Sequence, residues 1–124
     1  MLQDIKLRTL TEKTSPDRCF LTLYMDSVKS LDSLEKQALR MARSMDTVDD
    51  ESIQDERNHL EQNLELVRKY LQANNLQGRS ICIFACWLLD FVQGYELPVK
   101  VPEMIHIDSS PYVRPIAELQ EEYE

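Results

Sequence analysis

Three groups of side chains in this sequence have types and spacings that could do chemistry. His106 and Asp108 stand two apart in a strand-like run and so share a face, from which a general acid/base pair could be assembled. No partnered nucleophile accompanies them and His59 lies elsewhere, so a structural or exposed histidine is the plainer expectation. Lys36, Arg40 and Arg43 recur at helical spacing, and three cations in one row could meet RNA phosphates; the simpler reading is a solvated helix face. Tyr112 and Arg114 lie in a Pro-Tyr-Val-Arg-Pro segment whose prolines stiffen the backbone. They read as interdomain contacts that order the exit of the domain against a neighbour, with a ligand role as the alternative.

The remaining candidates point away from catalysis. Cys19, Cys82 and Cys86 are odd in number and sit in apolar runs, which favours buried, reduced thiols. Cys82 and Cys86 have strand spacing and lack a Cys-x-x-Cys pair or a histidine cluster, so no metal site is expected. The only glycines are Gly78 and Gly94, which rules out a Gly-rich phosphate loop, a G-x-S-x-G elbow and a dinucleotide fingerprint. No catalytic, cofactor-binding or metal-binding residue is therefore assigned, and no enzyme activity is expected of the chain.

The elements that position these residues form a mixed α+β pattern. Ile81, Ile83, Ala85 and Trp87 alternate with Cys82, Phe84 and Cys86, and both sets are apolar, as in a central strand covered on both faces. After Leu88-Leu89-Asp90, residues 91–97 read as the second arm of a hairpin, ended by Pro98. Trp87 and Phe91 at its tip are expected in the core rather than as an exposed anchor. Residues 104–108 give a third strand, and residues 19–26 a fourth, with Leu21, Leu23 and Met25 on one face and Phe20, Thr22 and Tyr24 on the other.

Helical periodicity accounts for the rest. Residues 33–45 put Leu31, Leu34, Ala38, Met41, Ala42 and Met45 on one side, and Asp32 with Glu35 suggests a capping box at the start. Residues 52–73 form the longest helix, with Ile53, Leu60, Leu64, Val67 and Leu71 on a narrow stripe. Leu66 and Tyr70 lie off that stripe, marking a second covered side or a contact surface. A short helix over residues 2–10, with Ile5 and Leu10 inward, and a last helix over 116–124 complete the pattern. That last helix reaches the end of the sequence without a cap, so a second domain is expected to follow. The predicted fold is a sheet of about four strands with a two-helix hairpin insert and shorter flanking helices.

Composition sets the limits. The 124 residues fit one domain. No apolar run approaches the roughly 18 residues of a membrane span, and residues 1–6 lack the plan of a signal peptide, so a cytoplasmic location with no membrane partner is expected. The net charge of −8 argues against a general nucleic-acid coat and against a DNA partner. Acid is concentrated at Asp46, Asp49, Asp50, Glu51, Asp55, Glu56 and Glu61, and again in residues 118–124.

The ordered series of segments resembles the N-terminal domain of the bacterial and archaeal relatives of eukaryotic-type peptide chain release factors. The residues that carry the likeness are FLTLYMD at 20–26, the helical insert, SICIFAC at 80–86, ELPVKVP at 96–102 and PYVRPI at 111–116. It covers most of the chain and contains no catalytic signature. It implies a noncatalytic first domain that places its own downstream domains, and through them the protein, on the ribosome or on peptidyl-tRNA. In release factors proper, hydrolysis belongs to a Gly-Gly-Gln loop in another domain, and this chain has no Gly-Gly pair. Codon reading there uses an Asn-Ile-Lys-Ser type loop between the insert helices; residues 47–53 here, TVDDESI, lack it and are acidic. Two readings compete: a protein-interaction domain unrelated to translation, and a small hydrolase built on His106 and Asp108.

Overall fold

Both alternating sets in residues 81–86 are buried, and this dictates the layers around them. The structure, a computed structural model, describes residues 7–15, 18–27, 31–46, 51–76 and 79–123, without the side chains of 41–46, 51–56 and 123. In chain order the elements are α1 (Leu7–Thr11), β1 (Phe20–Met25), α2 (Leu31–Asp46), α3 (Glu51–Ala73), β2 (Ser80–Cys86), β3 (Phe91–Leu97), β4 (Met104–Asp108) and α4 (Arg114–Tyr123). The four strands form one sheet in the order β3-β2-β1-β4, with every neighbouring pair antiparallel. The predicted α+β class and the four strand runs are thus found, with β1 and β2 at the centre.

One face of the sheet presents Leu21, Leu23 and Met25 of β1 with Ile81, Ile83 and Ala85 of β2 to the helical hairpin. Leu34 and Ala38 of α2 and Leu60, Leu64 and Val67 of α3 complete that core. The expected stripes are therefore the buried ones, although the side chains of Met41, Ala42, Met45 and Ile53 lie outside the described residues. The other face carries Tyr24, Cys82 and Phe84 and is closed by Leu10 of α1, Val101 and Ile116 of α4. Ile5, predicted inward on the first helix, lies outside the described residues.

Two local expectations need correction. Asp32 does not cap α2 from outside: the helix begins at Leu31, Asp32 sits in its first turn, and Glu35 Oε1 accepts a hydrogen bond from Arg68 of α3 at 2.8 Å. A cross-helix cation competes better for that carboxylate than the helix's own amides, because the charge-assisted bond is the stronger. The last helix starts at Arg114, before Pro115, since a proline in the first turn has no amide that needs a partner. Leu66 and Tyr70 mark the second covered side that their place off the stripe allowed: both are half-buried, Leu66 against the core and Tyr70 over Gly94 of β3. A Cβ built on Gly94 would come within 2.8 Å of both Tyr70 Cε1 and Leu76 Cδ1, so glycine at that point lets the end of α3 rest on the sheet.

A single buried amide fixes α3 to the sheet ends. Asn63 is 2% exposed; its Nδ2 donates to the carbonyl of Cys19, and its Oδ1 accepts from the amide of Trp87 at 2.8 Å. Those partners stand where β1 begins and β2 ends, the Cys19 carbonyl buried and the Trp87 amide partly so. Asn63→Ala leaves both backbone groups unpaired, at a cost of about 1–3 kcal/mol for each buried group. Chemical denaturation is expected to show a midpoint shift near the upper part of that range with an unchanged slope; a shift within roughly 0.5 kcal/mol, the size of an ordinary surface change, would mean the amide carries no such duty.

Candidate functional site

The core stripe of α2 decides where its cations point. With Leu34 and Ala38 buried, Lys36 and Arg40 fall about 200° away and are exposed on the far side. Arg43 continues the row along the helix backbone, but its side chain lies outside the described residues. Leu39 is 44% exposed and shares this face, a large apolar group set among the cations that the sequence reading passed over. Its spacing to Lys36 and Arg43 is the signal that would have found it. Beside the row, Glu35 is held by Arg68 at 2.8 Å, and Arg68 also meets Glu65 at 2.6 Å. The acidic neighbour of the row is thereby turned towards α3.

The exit segment is built into the second core layer. Tyr24 Oη donates to the carbonyl of Tyr112 at 2.5 Å, and the Tyr112 amide donates to Thr22 Oγ1 at 3.1 Å. The Tyr112 ring stacks on His106 with centroids 4.4 Å apart and meets the Tyr24 ring edge-on at 6.5 Å. These contacts set the start of α4 against β1 and β4. Arg114 is exposed and pairs with Glu118 one turn on, Nε to Oε1 at 3.2 Å. Tyr112 and Arg114 both line a cleft of about 420 Å³ between α4 and the segment joining β3 to β4.

His106 and Asp108 do share one face of β4, with Nε2 3.5 Å from Oδ2. The Ser109 amide, donating to Asp108 at 2.7 Å, holds that carboxyl below its ordinary value, and His106 adds to the effect. Among the described residues no nucleophile is hydrogen-bonded to His106, and its ring face is taken by Tyr112. The arrangement can tie down the end of β4. His59 is separate, accepting at Nδ1 from the Trp87 indole at 3.0 Å. Trp87 is half-buried, while Leu88 and Leu89 in the tight turn that follows are 40% and 43% exposed. Asp90 closes that turn in the left-handed region at φ 50°, a conformation aspartate tolerates better than most residues.

All three cysteines are free and buried. Cys86 Sγ lies 3.3 Å from Cys19 Sγ, and Cys82 projects into the layer under α4. No group of three or more metal-ligating side chains occurs among the described residues. No described helix is long and apolar enough to cross a membrane.

A four-stranded antiparallel sheet with a helical hairpin inserted between its two central strands, and a short closing helix on the opposite face, is a release-factor-like α+β fold. The arrangement is shared with solved structures, among them the following two. An archaeal translation termination factor, aRF1, superposes with a TM-score of 0.69 at 13% identity, over 91% of this chain and 32% of its own. A structure described as an archaeal protein gives 0.66, also at 13% identity, over 91% of this chain and 33% of its own. The chain thus spans about a third of the length of each. No protein-family model matches the sequence, and no curated protein matches it.

Burial of the thiols and phenols gives a pH expectation. Burial pushes Cys82 up to about 12, and burial together with the Cys19 contact pushes Cys86 up to about 11. Burial also raises Tyr24 and Tyr95 above the phenol range. Folded values above the unfolded ones, roughly 8.5 for cysteine and 10 for tyrosine, contribute stability that is complete below the unfolded values and is lost as pH rises towards the folded ones. The urea midpoint is therefore expected to hold through neutrality and fall above about pH 9, with native thiols modified by Ellman's reagent only at the rate of opening. Immediate modification of Cys82 at neutral pH, or a midpoint that climbs in alkali, would contradict this burial.

Proposed function

We propose that this chain is the noncatalytic N-terminal domain of a release-factor-like protein of the cytoplasm, which places partner domains on the ribosome or on peptidyl-tRNA. The observation that carries the reading is the likeness of fold to the archaeal termination factor over 91% of the chain. RNA contact falls to Lys36, Arg40 and Arg43, with Leu39 packing between them against a base or ribose. Tyr112 and Arg114 order the exit towards a following domain. Codon reading forms no part of this role, because residues 47–53, TVDDESI, are acidic where RNA would approach.

Co-sedimentation with ribosomes across a salt series tests the RNA contact. Reversing Lys36, Arg40 and Arg43 to glutamate is expected to weaken binding and to flatten the salt dependence by about one unit of slope for each phosphate no longer neutralised. Leu39→Ala should weaken binding while leaving the slope alone. Thermal melts of both variants should stay near the wild type, since exposed substitutions usually cost no more than roughly 0.5 kcal/mol. Unchanged binding after the triple reversal would return the row to an ordinary solvated face.

The noncatalytic part of the reading is tested separately. Incubated with labelled peptidyl-tRNA, with or without ribosomes, the chain is expected to release no peptide, because its sequence has no Gly-Gly-Gln loop and, among the described residues, no nucleophile is hydrogen-bonded to His106. Measurable release that survives a His106→Ala exchange would show a catalytic group elsewhere in the chain, and release abolished by it would revive the His106 and Asp108 pair.

A further inference from the structure

The cleft beside α4 continues into a second hollow. The first, about 420 Å³, has an apolar wall of Val101, Met104, Tyr112 and Leu119. The second, about 430 Å³, shares Lys100, Val101 and Pro102 with it, so the two form a trough rather than a pit. Each is within the range of roughly 300–1,000 Å³ typical of ligand sites. Its rim bears Asp26, Glu103, Glu118 and Glu122 against Lys100 and Arg114. Both cations already have acidic neighbours, Lys100 Nζ at 3.7 Å from Asp26 and Arg114 Nε at 3.2 Å from Glu118. Glu103 and Glu122 are exposed and enter no ion pair among the described residues. The rim is therefore net negative around an apolar floor.

We propose that this trough docks an extended cationic segment of a partner protein, with one large apolar side chain of that segment seated beside Met104 and Leu119. Charge complementarity selects the occupant. A nucleic acid or an acidic lipid surface would be repelled by the rim, and so would a second copy of a chain carrying −8. Two adjoining hollows that share Lys100, Val101 and Pro102 suit successive side chains of a peptide in extended form, and methionine in the wall adapts to apolar groups of different outline. The proposal does not depend on ribosome binding, which was assigned to the opposite helical layer.

The test is an NMR titration of the isotope-labelled chain with a short synthetic peptide that alternates lysine with leucine and phenylalanine. Two controls accompany it: the same peptide with glutamate for lysine, and a lysine peptide without apolar residues. Saturable shifts confined to residues 99–104 and 112–122 are expected for the first peptide alone. Raising salt from roughly 0.05 to 0.5 M should weaken that binding, because the rim is exposed. Glu103→Lys with Glu122→Lys, two exposed positions outside the core, should weaken it by roughly tenfold. Leu119→Glu should abolish it, with a thermal melt to verify folding. Absence of saturable binding, equal binding of either control, or shifts spread over acidic residues throughout the chain would overturn the proposal.

Discussion

Complete burial of β1 and β2 on both faces is the constraint from which the rest of the domain follows. An antiparallel pair often leaves one face to water, but here no residue of either strand is exposed. Each face then needs its own apolar layer, and the chain supplies them from different places. The α2–α3 hairpin, inserted between the two central strands, covers one face. The other is closed by α1 before β1, by the segment joining β3 to β4, and by α4. Asn63 matters because it links the inserted layer to both strand ends at once, through the Cys19 carbonyl and the Trp87 amide.

The two layers also divide the surface chemistry. On the hairpin side, burial of Leu34 and Ala38 turns Lys36 and Arg40 outward, and the Glu35–Arg68 pair draws a nearby carboxylate towards α3. On the α4 side, Glu118 and Glu122 are directed at the trough by the same logic, because Ile116 is the position that packs inward. A protein of net charge −8 can thus offer a cationic row on one layer and an acidic trough on the other. Each orientation follows from which apolar residue its helix buries.

What was legible in the sequence was the part governed by periodicity. Ile81, Ile83 and Ala85 alternating with Cys82 and Phe84 announce a strand buried on both sides, and the spacing of Leu60, Leu64 and Val67 places α3 on the sheet. Features that join distant positions were not legible. Asn63 is one polar residue on a helix, and only the fold reveals that Cys19 and Trp87 meet it. The same is true of Glu35, read as a local cap yet claimed by Arg68, and of Tyr70, off the main stripe yet seated over Gly94. The exit residues Tyr112 and Arg114 could be singled out from their proline setting. The trough they line needs residues 99–104 folded back against α4, which no local pattern states.

The exit segment is where fold and candidate function are most closely joined. Its first anchor, the Tyr112 amide on Thr22, uses a hydroxyl from the otherwise apolar inner face of β1. Its second, the Tyr24 hydroxyl on the Tyr112 carbonyl, uses the polar tip of a buried ring. Two hydrogen bonds to the backbone groups of one residue fix its direction as well as its place, and the stack on His106 limits rotation about the remaining axis. α4 therefore leaves the sheet at an angle set by the central strand itself. A force applied through α4 would be resisted by β1, one of the two strands paired on both sides, and not by the loop alone. That continuity gives polar Thr22 and Tyr24 a reason to occupy the inner strand where apolar side chains would pack as well: each anchors a backbone group of Tyr112.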